Sequence, residues 1–260
     1  MFKTTKRVVL GSVSALLLGT LIWVLFLLNP AWSYAHQTHF GPITVHHNQV
    51  LEASTDHVLK EAIEIIKTSA LYTPDFQVDL CMNDGSRFPE FHPFSGGLAY
   101  AFVDKAVFYN AQPDFARNRA FNTAAGPNQV HKESNLTWSL AHEFTHNLQF
   151  NWNILFPLKY EFWQQEGYAE YISRQWKNDG LLREKIKTLL DQESKKQGNY
   201  PIVFLNPDGT TQELSYYKYG LMVQYLFEQE GLDFVSLADE KRSFETVHQK
   251  MMAWSELVKD

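Results

Sequence analysis

The sequence predicts an α+β domain with a mixed β/α amino-terminal lobe and a helical carboxy-terminal lobe, preceded by one transmembrane helix. Three observations carry this prediction. An uncharged run stands near the amino terminus, strand-like patterns dominate residues 43–109, and helix-like patterns dominate from residue 135 onward. With 45% hydrophobic and 20% charged side chains in 260 residues, the chain has the composition of a globular protein with a sizeable core.

Residues 1–35 are predicted to be a signal anchor. Residues 8–28 carry no charge and are numerous enough to cross a bilayer as a helix. The basic residues before this run place the amino terminus in the cytoplasm, so the rest of the chain faces the periplasm or the extracellular space. Small residues around Ala35 leave signal cleavage and secretion open as an alternative. In both cases residues 36–260 form the working domain. The basic residues are Lys3, Lys6 and Arg7.

Charge and cysteine content exclude several classes of site in this outer domain. Three of the 23 Lys and Arg residues, and none of the 29 Asp and Glu residues, lie in the first 35, so the remainder is acidic. It contains no basic tract, and no nucleic-acid partner is expected. Cys81 is the single cysteine, which excludes an internal disulfide and a thiolate-cluster metal site.

The amino-terminal lobe alternates strand and helix patterns. Short runs bounded by Gly, Asn and Asp are typical of strands, and apolar residues spaced by three and four after a Ser or Thr are typical of a capped helix. In order, the segments are a strand at 43–47, a helix from 54 or 55 to about 71, a strand at 76–82 and an extended segment at 98–109.

The carboxy-terminal lobe is predicted from helical patterns with clear ends. The helices begin near residues 135, 160, 181 and 214, and Gly231 ends the last of them. The first of these helices stands where the strand patterns stop, so we expect it at the junction of the two lobes.

Residues 142–146 read HEFTH, which indicates a metal site. Histidines four apart lie on one face of a helix, so the imidazoles of His142 and His146 can reach one ion. Glu143 is turned partway round the helix, where it can serve a water molecule without binding the ion. The motif alone leaves open that two histidines simply share a half-buried helix face.

A catalytic zinc ion takes three protein ligands and keeps one position open. A third histidine six residues after His146 would be usual in one arrangement, but Trp152 stands there. Glu166 and Glu170 share one face of the next helix. If that helix packs on the first, Glu166 can complete a site for one Zn²⁺ ion, and Glu170 can hold one imidazole in its ligating tautomer. Gly167 is expected to let this helix approach the ion closely.

HEFTH followed by WQQEGYAEY at 163–171 resembles the gluzincin metallopeptidases of the peptidase MA-like group. Their signature is HExxH and, some twenty residues on, WxxEGxAEY. The segment YYKYGLMVQYLFEQEG at 216–231 is similar to a later helix of that group. The resemblance implies a zincin-like two-lobed fold, one Zn²⁺ ion and hydrolysis of peptide bonds. It implies His142, His146 and Glu166 as ligands, Glu143 as general base and Glu170 as the acid behind a ligand.

The same resemblance bears on stabilisation of the oxyanion. The tyrosine of the later helix stands three residues before its glycine in that group, which here is Tyr217. It implies Tyr217 as a catalytic hydrogen-bond donor. Tyr216 and Tyr219 are expected to face other directions. Arg174 lies two turns beyond Glu166 and is expected to point away from it.

The extended segment before HEFTH is a candidate edge strand for pairing with substrate backbone. Its first residues, Gly97, Leu98, Ala99 and Tyr100, are the predicted substrate-binding positions. The alternative is an ordinary core strand, because strand addition needs an exposed edge.

The expected function is zinc-dependent hydrolysis of peptide bonds by a membrane-anchored, extracytoplasmic domain acting on a peptide or protein substrate. The GxMEN motif of the related aminopeptidases is absent and SGGLAYAF stands in its region, which favours an endopeptidase. The alternative is a non-catalytic, zinc-bound chaperone or adaptor on a peptidase scaffold. Glu143 argues against that alternative, because a structural site has no use for a free carboxylate beside the metal.

Overall fold

The computed structural model describes residues 12–14, 16–22, 24–25, 29–84, 98–123, 133–195, 203–239 and 242–257. Its first lobe is built on a five-stranded sheet with strand order β1-β2-β3-β5-β4. The central strands β2, β3 and β5 are parallel, and the outer strands β1 and β4 run antiparallel to their neighbours. A short 3-10 helix, Pro30–Ser33, precedes the sheet. The strands are β1 (His36–Phe40), β2 (Ile43–His47), β3 (Val78–Met82), β4 (Tyr100–Phe102) and β5 (Lys105–Phe108).

Helix α1 (Thr55–Ile66) connects β2 to β3, and the apolar residues of one face, among them Val58, Ala62 and Ile65, are buried. The predicted strand at 43–47 is confirmed, whereas the predicted helix ends five residues early. Thr68 donates its hydroxyl to the carbonyl of Ile65 at 2.7 Å, and the hydroxyl of Ser69 accepts from the amide of Leu71 at 3.1 Å. Hydroxyl side chains that bond to nearby backbone compete with helical hydrogen bonds, which explains the early end.

The predicted extended segment at 98–109 is a hairpin rather than one strand. β4 and β5 meet at a turn in which Val103 has φ of 50°, a left-handed conformation that is unusual for a β-branched residue. The Asn147 side chain donates to the carbonyls of Val103 and Lys105, both at 2.9 Å, and so ties the turn to the next lobe. The charged residues Asp104 and Lys105, which interrupt the apolar segment, were the available signal for this turn.

A second, three-stranded antiparallel sheet leads into the helical lobe and was not predicted. It consists of β6 (Ala111–Asp114), β7 (Arg119–Asn122) and β8 (Glu133–Asn135), in that order. Its last residue is also the N-cap of α2 (Leu136–Trp152), since the Asn135 side chain accepts from the amide of Trp138 at 3.1 Å. The sheet therefore fixes where the HEFTH helix begins.

The helical lobe packs around α2, which lies between the lobes as predicted. α2 contacts α1, β4 and α4. The remaining elements are α3 (Phe156–Lys159), α4 (Phe162–Ser173), α5 (Leu182–Ser194), the hairpin of β9 (Val203–Leu205) and β10 (Thr211–Glu213), α6 (Leu214–Glu228), α7 (Phe234–Asp239) and α8 (Phe244–Leu257). The mixed sheet followed by packed helices confirms the α+β class.

Two glycines bring α4 and α6 unusually close together. A Cβ atom on Gly167 would stand 2.5 Å from the backbone oxygen of Tyr219, and one on Gly220 would stand 2.6 Å from the ring of Trp176. Gly167 therefore faces α6. The expectation that it lets α4 approach the metal was wrong, because residues adjacent on a helix point about 100° apart.

The predicted transmembrane segment is only partly described. Its described residues, 12–14, 16–22 and 24–25, are helical. No helix in the described part of the chain is both long and apolar enough to cross a membrane. The other residues of the predicted span, 8–11, 15, 23 and 26–28, lie outside the described residues.

Candidate metal centre

Three side chains converge where α2 and α4 pack together. Nε2 of His142 lies 3.1 Å from Nε2 of His146 and 3.1 Å from Oε2 of Glu166. Nε2 of His146 lies 3.3 Å from the same carboxylate oxygen. The side chains keep 12%, 15% and 13% of their area exposed, so each is mostly buried but reachable. The structure brings together the three residues that the sequence predicts as ligands.

The helical register explains why the two imidazoles meet. His142 and His146 are one turn apart, and their rings lie edge to face with centroids 4.8 Å apart. The other face of α2 carries Leu140, Phe144 and Leu148, each no more than 1% exposed. Since that apolar face is held in the core, the histidine face turns toward α4.

The spacing of the three donor atoms fits a tetrahedral zinc ion. With zinc–ligand bonds of about 2.0–2.1 Å, the edges of a coordination tetrahedron are about 3.3–3.4 Å long. The observed separations of 3.1 Å, 3.1 Å and 3.3 Å are close to these edges. Two imidazoles and one carboxylate are a donor set that zinc accepts, and a fourth position would remain open for water or substrate.

Without a metal ion, opposite charges hold the cluster together. Burial lowers the pKa of His142, but the carboxylates of Glu166 and Glu170 outweigh burial and raise that pKa to about 10. Burial by itself would raise the pKa of Glu166. The neighbouring imidazoles of His146 and His142 lower that pKa by more, so it lies below its ordinary value and the carboxyl stays ionised. A metal ion must therefore displace a proton from the cluster.

Glu143 lies beside the triangle without belonging to it. Its side chain is not among the donor atoms that converge. Burial raises its pKa above the ordinary value, and the charges of His142 and His146 act in the opposite direction. A carboxylate whose pKa is shifted upward accepts protons more readily near neutral pH, as a general base requires.

Glu170 lies behind His142, on the side away from the triangle. Its Oε1 is 3.2 Å from Nδ1 of His142, although the two atoms lack the alignment of a hydrogen bond. Arg174 donates from Nε to the other oxygen of Glu170 at 3.1 Å and lies over the ring of Trp138 at 4.4 Å. Arg174 therefore points toward the site rather than away from it. Its position four residues after Glu170 was the available signal.

The tyrosine that faces the cluster is Tyr216, whereas Tyr217 lies in the core. The ring of Tyr217 stacks on Phe204 with centroids 4.0 Å apart and meets Trp176 edge-on at 5.2 Å. The ring of Tyr216 lies 6.0 Å from that of His142. The structure therefore does not bring Tyr217 to the metal centre. Neighbouring residues on a helix point about 100° apart. The stacking of Tyr217 on Phe204 directs Tyr217 into the core, and Tyr216 then faces the cluster.

The predicted substrate-binding segment lies along the edge of the sheet next to α2. Gly97 falls outside the described residues. Leu98 and Ala99 are half-buried against the core, and Tyr100 begins β4, which is the edge strand of the five-stranded sheet. Asn147, the residue after His146, holds the turn at the end of this strand. The strand and the candidate metal centre are therefore connected through α2.

A comparison with protein families agrees with this geometry. Residues 112–256 match the family model described as collagenase, peptidase family M9. The match covers more than half of the chain. The chain belongs to the M9 collagenase family. In a comparison with curated proteins, no match was found.

The M9 match makes the protein a metallopeptidase, and the metal that the family implies is zinc. It begins in β6 and ends in α8, so it includes His142, Glu143, His146 and Glu166 and excludes the five-stranded sheet. The residues that form the cluster in this M9 protein therefore lie within the region that matches the family.

Zinc affinity of this M9 protein is expected to rise with pH. His142 has its pKa raised to about 10, so it carries a proton at neutral pH until zinc displaces it. Each displaced proton makes the apparent affinity about tenfold stronger per pH unit below that pKa. Calorimetric zinc titrations in buffers of different protonation enthalpy measure the protons released. An affinity that does not change between about pH 6 and pH 8 would contradict this account of the cluster.

Proposed function

We propose that the protein is a gluzincin-type endopeptidase that uses one zinc ion held by His142, His146 and Glu166. The observation that carries this proposal is the triangle of donor atoms, whose edges are 3.1 Å, 3.1 Å and 3.3 Å. The carboxyl of Glu143 interacts electrostatically with all three residues of the triangle. Zinc bound there would act as a Lewis acid toward a peptide carbonyl and acidify a water molecule.

Glu143 takes the proton of the attacking water and delivers it to the leaving amine. Its raised pKa supports both steps, since the group must accept a proton and release it again near neutral pH. Glu170 and Arg174 hold the ring of His142 from behind. Their ion pair keeps the orientation of that imidazole constant while negative charge develops on the oxygen of the attacked carbonyl.

Tyr216 is proposed as the donor that stabilises the oxyanion. Burial and the charges of nearby carboxylates, Glu166 foremost, raise the pKa of its phenol, so the hydroxyl remains protonated and can donate. Its ring lies next to that of His142 and edge-on to Phe162, with centroids 6.2 Å apart. These contacts support a phenol that reaches toward the open side of the cluster.

Tyr216→Phe is expected to keep zinc and leave KM nearly unchanged while kcat falls by roughly 10²–10³, the loss typical of one oxyanion donor. Tyr217→Phe is the matched control, because it removes a hydroxyl from the same helix one residue away. It should leave kcat close to wild type and affect only the packing on Phe204. A normal kcat in Tyr216→Phe, or a large loss in Tyr217→Phe, would reverse the assignment.

The substrate is proposed to bind as an extended strand along β4. Among the described residues β4 is an outer strand of the five-stranded sheet, and peptides can add to such a strand through backbone hydrogen bonds. Residues 95–102 contain no acidic side chain to pair with a free amino terminus, and this supports cleavage within chains rather than from their ends. Phe102, 43% exposed on β4, adds apolar surface for substrate side chains.

Cleavage of an internally quenched peptide with both termini blocked tests the proposed function. Zinc-loaded protein should cleave it, a chelator should stop cleavage, and zinc should restore it. Gelatin and native collagen belong in the same panel because the family is described as collagenase. We expect gelatin to be cleaved faster, because its extended chains can pair with an edge strand directly. Zinc binding with no cleavage of any of these substrates would favour the chaperone or adaptor function.

The protein is further proposed to be anchored in a membrane with its peptidase domain outside. The basic residues before the uncharged run at 8–28 support this orientation. Tyr34 donates its hydroxyl to the carbonyl of Met82 at 2.8 Å, and the amide of Ala35 donates to Asn48 at 2.7 Å. Cleavage after Ala35 would detach Tyr34 from the sheet, which favours an uncleaved anchor. Fractionation with amino-terminal sequencing tests this, and a released form beginning at His36 would contradict it.

A further inference from the structure

Gln149 joins the two ligand-bearing helices. Its Oε1 lies 2.7 Å from Nδ1 of His146, and its Nε2 donates to the backbone carbonyl of Gln165 at 3.1 Å. The residue is 1% exposed, so water does not compete for these bonds. We propose that Gln149 is a positioning residue that fixes the tautomer of His146 and the placement of Glu166, and thereby sets zinc affinity. This inference rests on the proposed function, because it takes both residues as zinc ligands.

The hydrogen-bond chain permits only one tautomer of His146. A backbone carbonyl can only accept, so the amide group that faces Gln165 must be the donating NH₂ of Gln149. The other end of the amide is then the oxygen, which can only accept. Nδ1 of His146 must therefore carry a proton, which leaves Nε2, the nitrogen nearest Glu166 and His142, as the one that can bind the ion. The orientation of the Gln149 amide is therefore set by the backbone carbonyl of Gln165, which can only accept.

The same side chain fixes the position of α4 relative to α2. Its bond to the carbonyl of Gln165 acts on the peptide unit next to Glu166. The side chain of Gln165 donates in turn to the carbonyl of Tyr160 at 2.8 Å, just before α4 begins. A shift of α4 along α2 would break these bonds, so both the ring of His146 and the Glu166 carboxylate depend on Gln149.

A neutral amide suits this position for an electrostatic reason. The cluster already contains the carboxylates of Glu143, Glu166 and Glu170, and Arg174 neutralises the last of them. A further carboxylate behind His146 would add a negative charge without a cation to balance it. Gln149 supplies the acceptor that the imidazole needs and adds no charge.

Two substitutions at Gln149 test whether the acceptor oxygen toward Nδ1 of His146 is the part of the side chain that matters. Gln149→Leu removes both hydrogen bonds at nearly constant volume, and zinc affinity should fall about 10- to 100-fold, as changes behind a metal ligand usually cause. Gln149→Glu keeps an oxygen toward Nδ1 of His146 but, when ionised, loses the donor toward the carbonyl of Gln165, so zinc affinity should fall by less than in Gln149→Leu. The visible absorption bands of the cobalt-substituted protein should shift more in Gln149→Leu than in Gln149→Glu.

Gln224→Leu is the matched structural control. Gln224 is also buried, and it donates to the carbonyl of Trp176 at 3.0 Å and to the carboxylate of Glu228 at 2.9 Å, neither of which belongs to the ligand set. Its loss should lower the Tm of the metal-free protein but leave zinc affinity and the cobalt spectrum unchanged. If Gln149→Leu does not fold, Gln149→Asn replaces it, because the shorter side chain cannot reach both partners.

Zinc affinity is measured by competition with a chromophoric chelator. Unchanged affinity and an unchanged cobalt spectrum in Gln149→Leu would overturn the inference while leaving the proposed function intact. A loss in Gln149→Glu as large as in Gln149→Leu would also overturn it, because the acceptor would then not be what matters. A wild-type protein that binds no zinc would instead refute the proposed function, and the inference would fall with it.

Discussion

Glu143→Gln is expected to lower kcat by roughly 10²–10⁴ while the protein retains its zinc. The amide has nearly the shape of the carboxylate, so the packing of α2 is kept, but it cannot accept a proton from water. Zinc should stay bound because Glu143 is not among the three converging donor atoms. The kcat for a blocked, internally quenched peptide and the zinc content of the same sample are the quantities to measure.

The control for this prediction is Glu64→Gln. Glu64 lies on α1, is 69% exposed and forms an ion pair with Lys67, so it does not belong to the ligand cluster. Its kcat should equal that of wild type. Full activity in Glu143→Gln would remove Glu143 from the mechanism, and lost zinc in that variant would mean that the carboxylate binds the ion.

Glu166→Gln is expected to lose zinc far more completely than Glu170→Gln. Glu166 supplies an anionic donor 3.1 Å and 3.3 Å from the two imidazole nitrogens, so its replacement removes a ligand. Glu170 lies behind His142, and its loss should weaken zinc binding by about 10- to 100-fold. Chelator competition on both variants gives the ranking directly.

Folding must be verified for both variants, because each side chain is mostly buried. Far-UV circular dichroism and the Tm of the metal-free proteins serve this purpose. The reverse ranking of zinc affinities would show that Glu170 binds the ion and that the two carboxylates have exchanged roles.

The ligand triad could be predicted because its information is local. The separation of His142 and His146 by one helical turn, and of Glu166 and Glu170 by another, needs only the geometry of a single helix. One further assumption, that the two helices pack together, then brings the three donor atoms into contact. The contact of α2 with α4 satisfies that assumption.

The tyrosine could not be predicted in the same way. Tyr216 and Tyr217 are neighbours of equal chemistry, and only tertiary packing decides which one faces the cluster. The decisive partner of Tyr217 is Phe204, which lies in β9, a strand that the sequence analysis did not find. A strand of three residues gives too little pattern for detection.

The supporting residues were missed for a related reason. Gln149 was not considered as a site residue in the sequence analysis, although a residue three places after His146 shares its helix face. Its second bond, to the carbonyl of Gln165, depends on a contact between helices that spacing along one helix cannot reveal. The hairpin of β4 and β5 was missed likewise, because its turn depends on Asn147.

Reconstitution of the metal-free protein with zinc tests the central claim most directly. Bound zinc and the rate of cleavage of a blocked peptide are measured on the same samples as zinc is added. We predict that both rise in proportion and reach a plateau at one zinc ion per chain, and that Glu166→Gln shows neither. Cleavage that persists without zinc, or one tightly bound zinc per chain with no cleavage, would contradict the claim that this cluster is the peptidase centre.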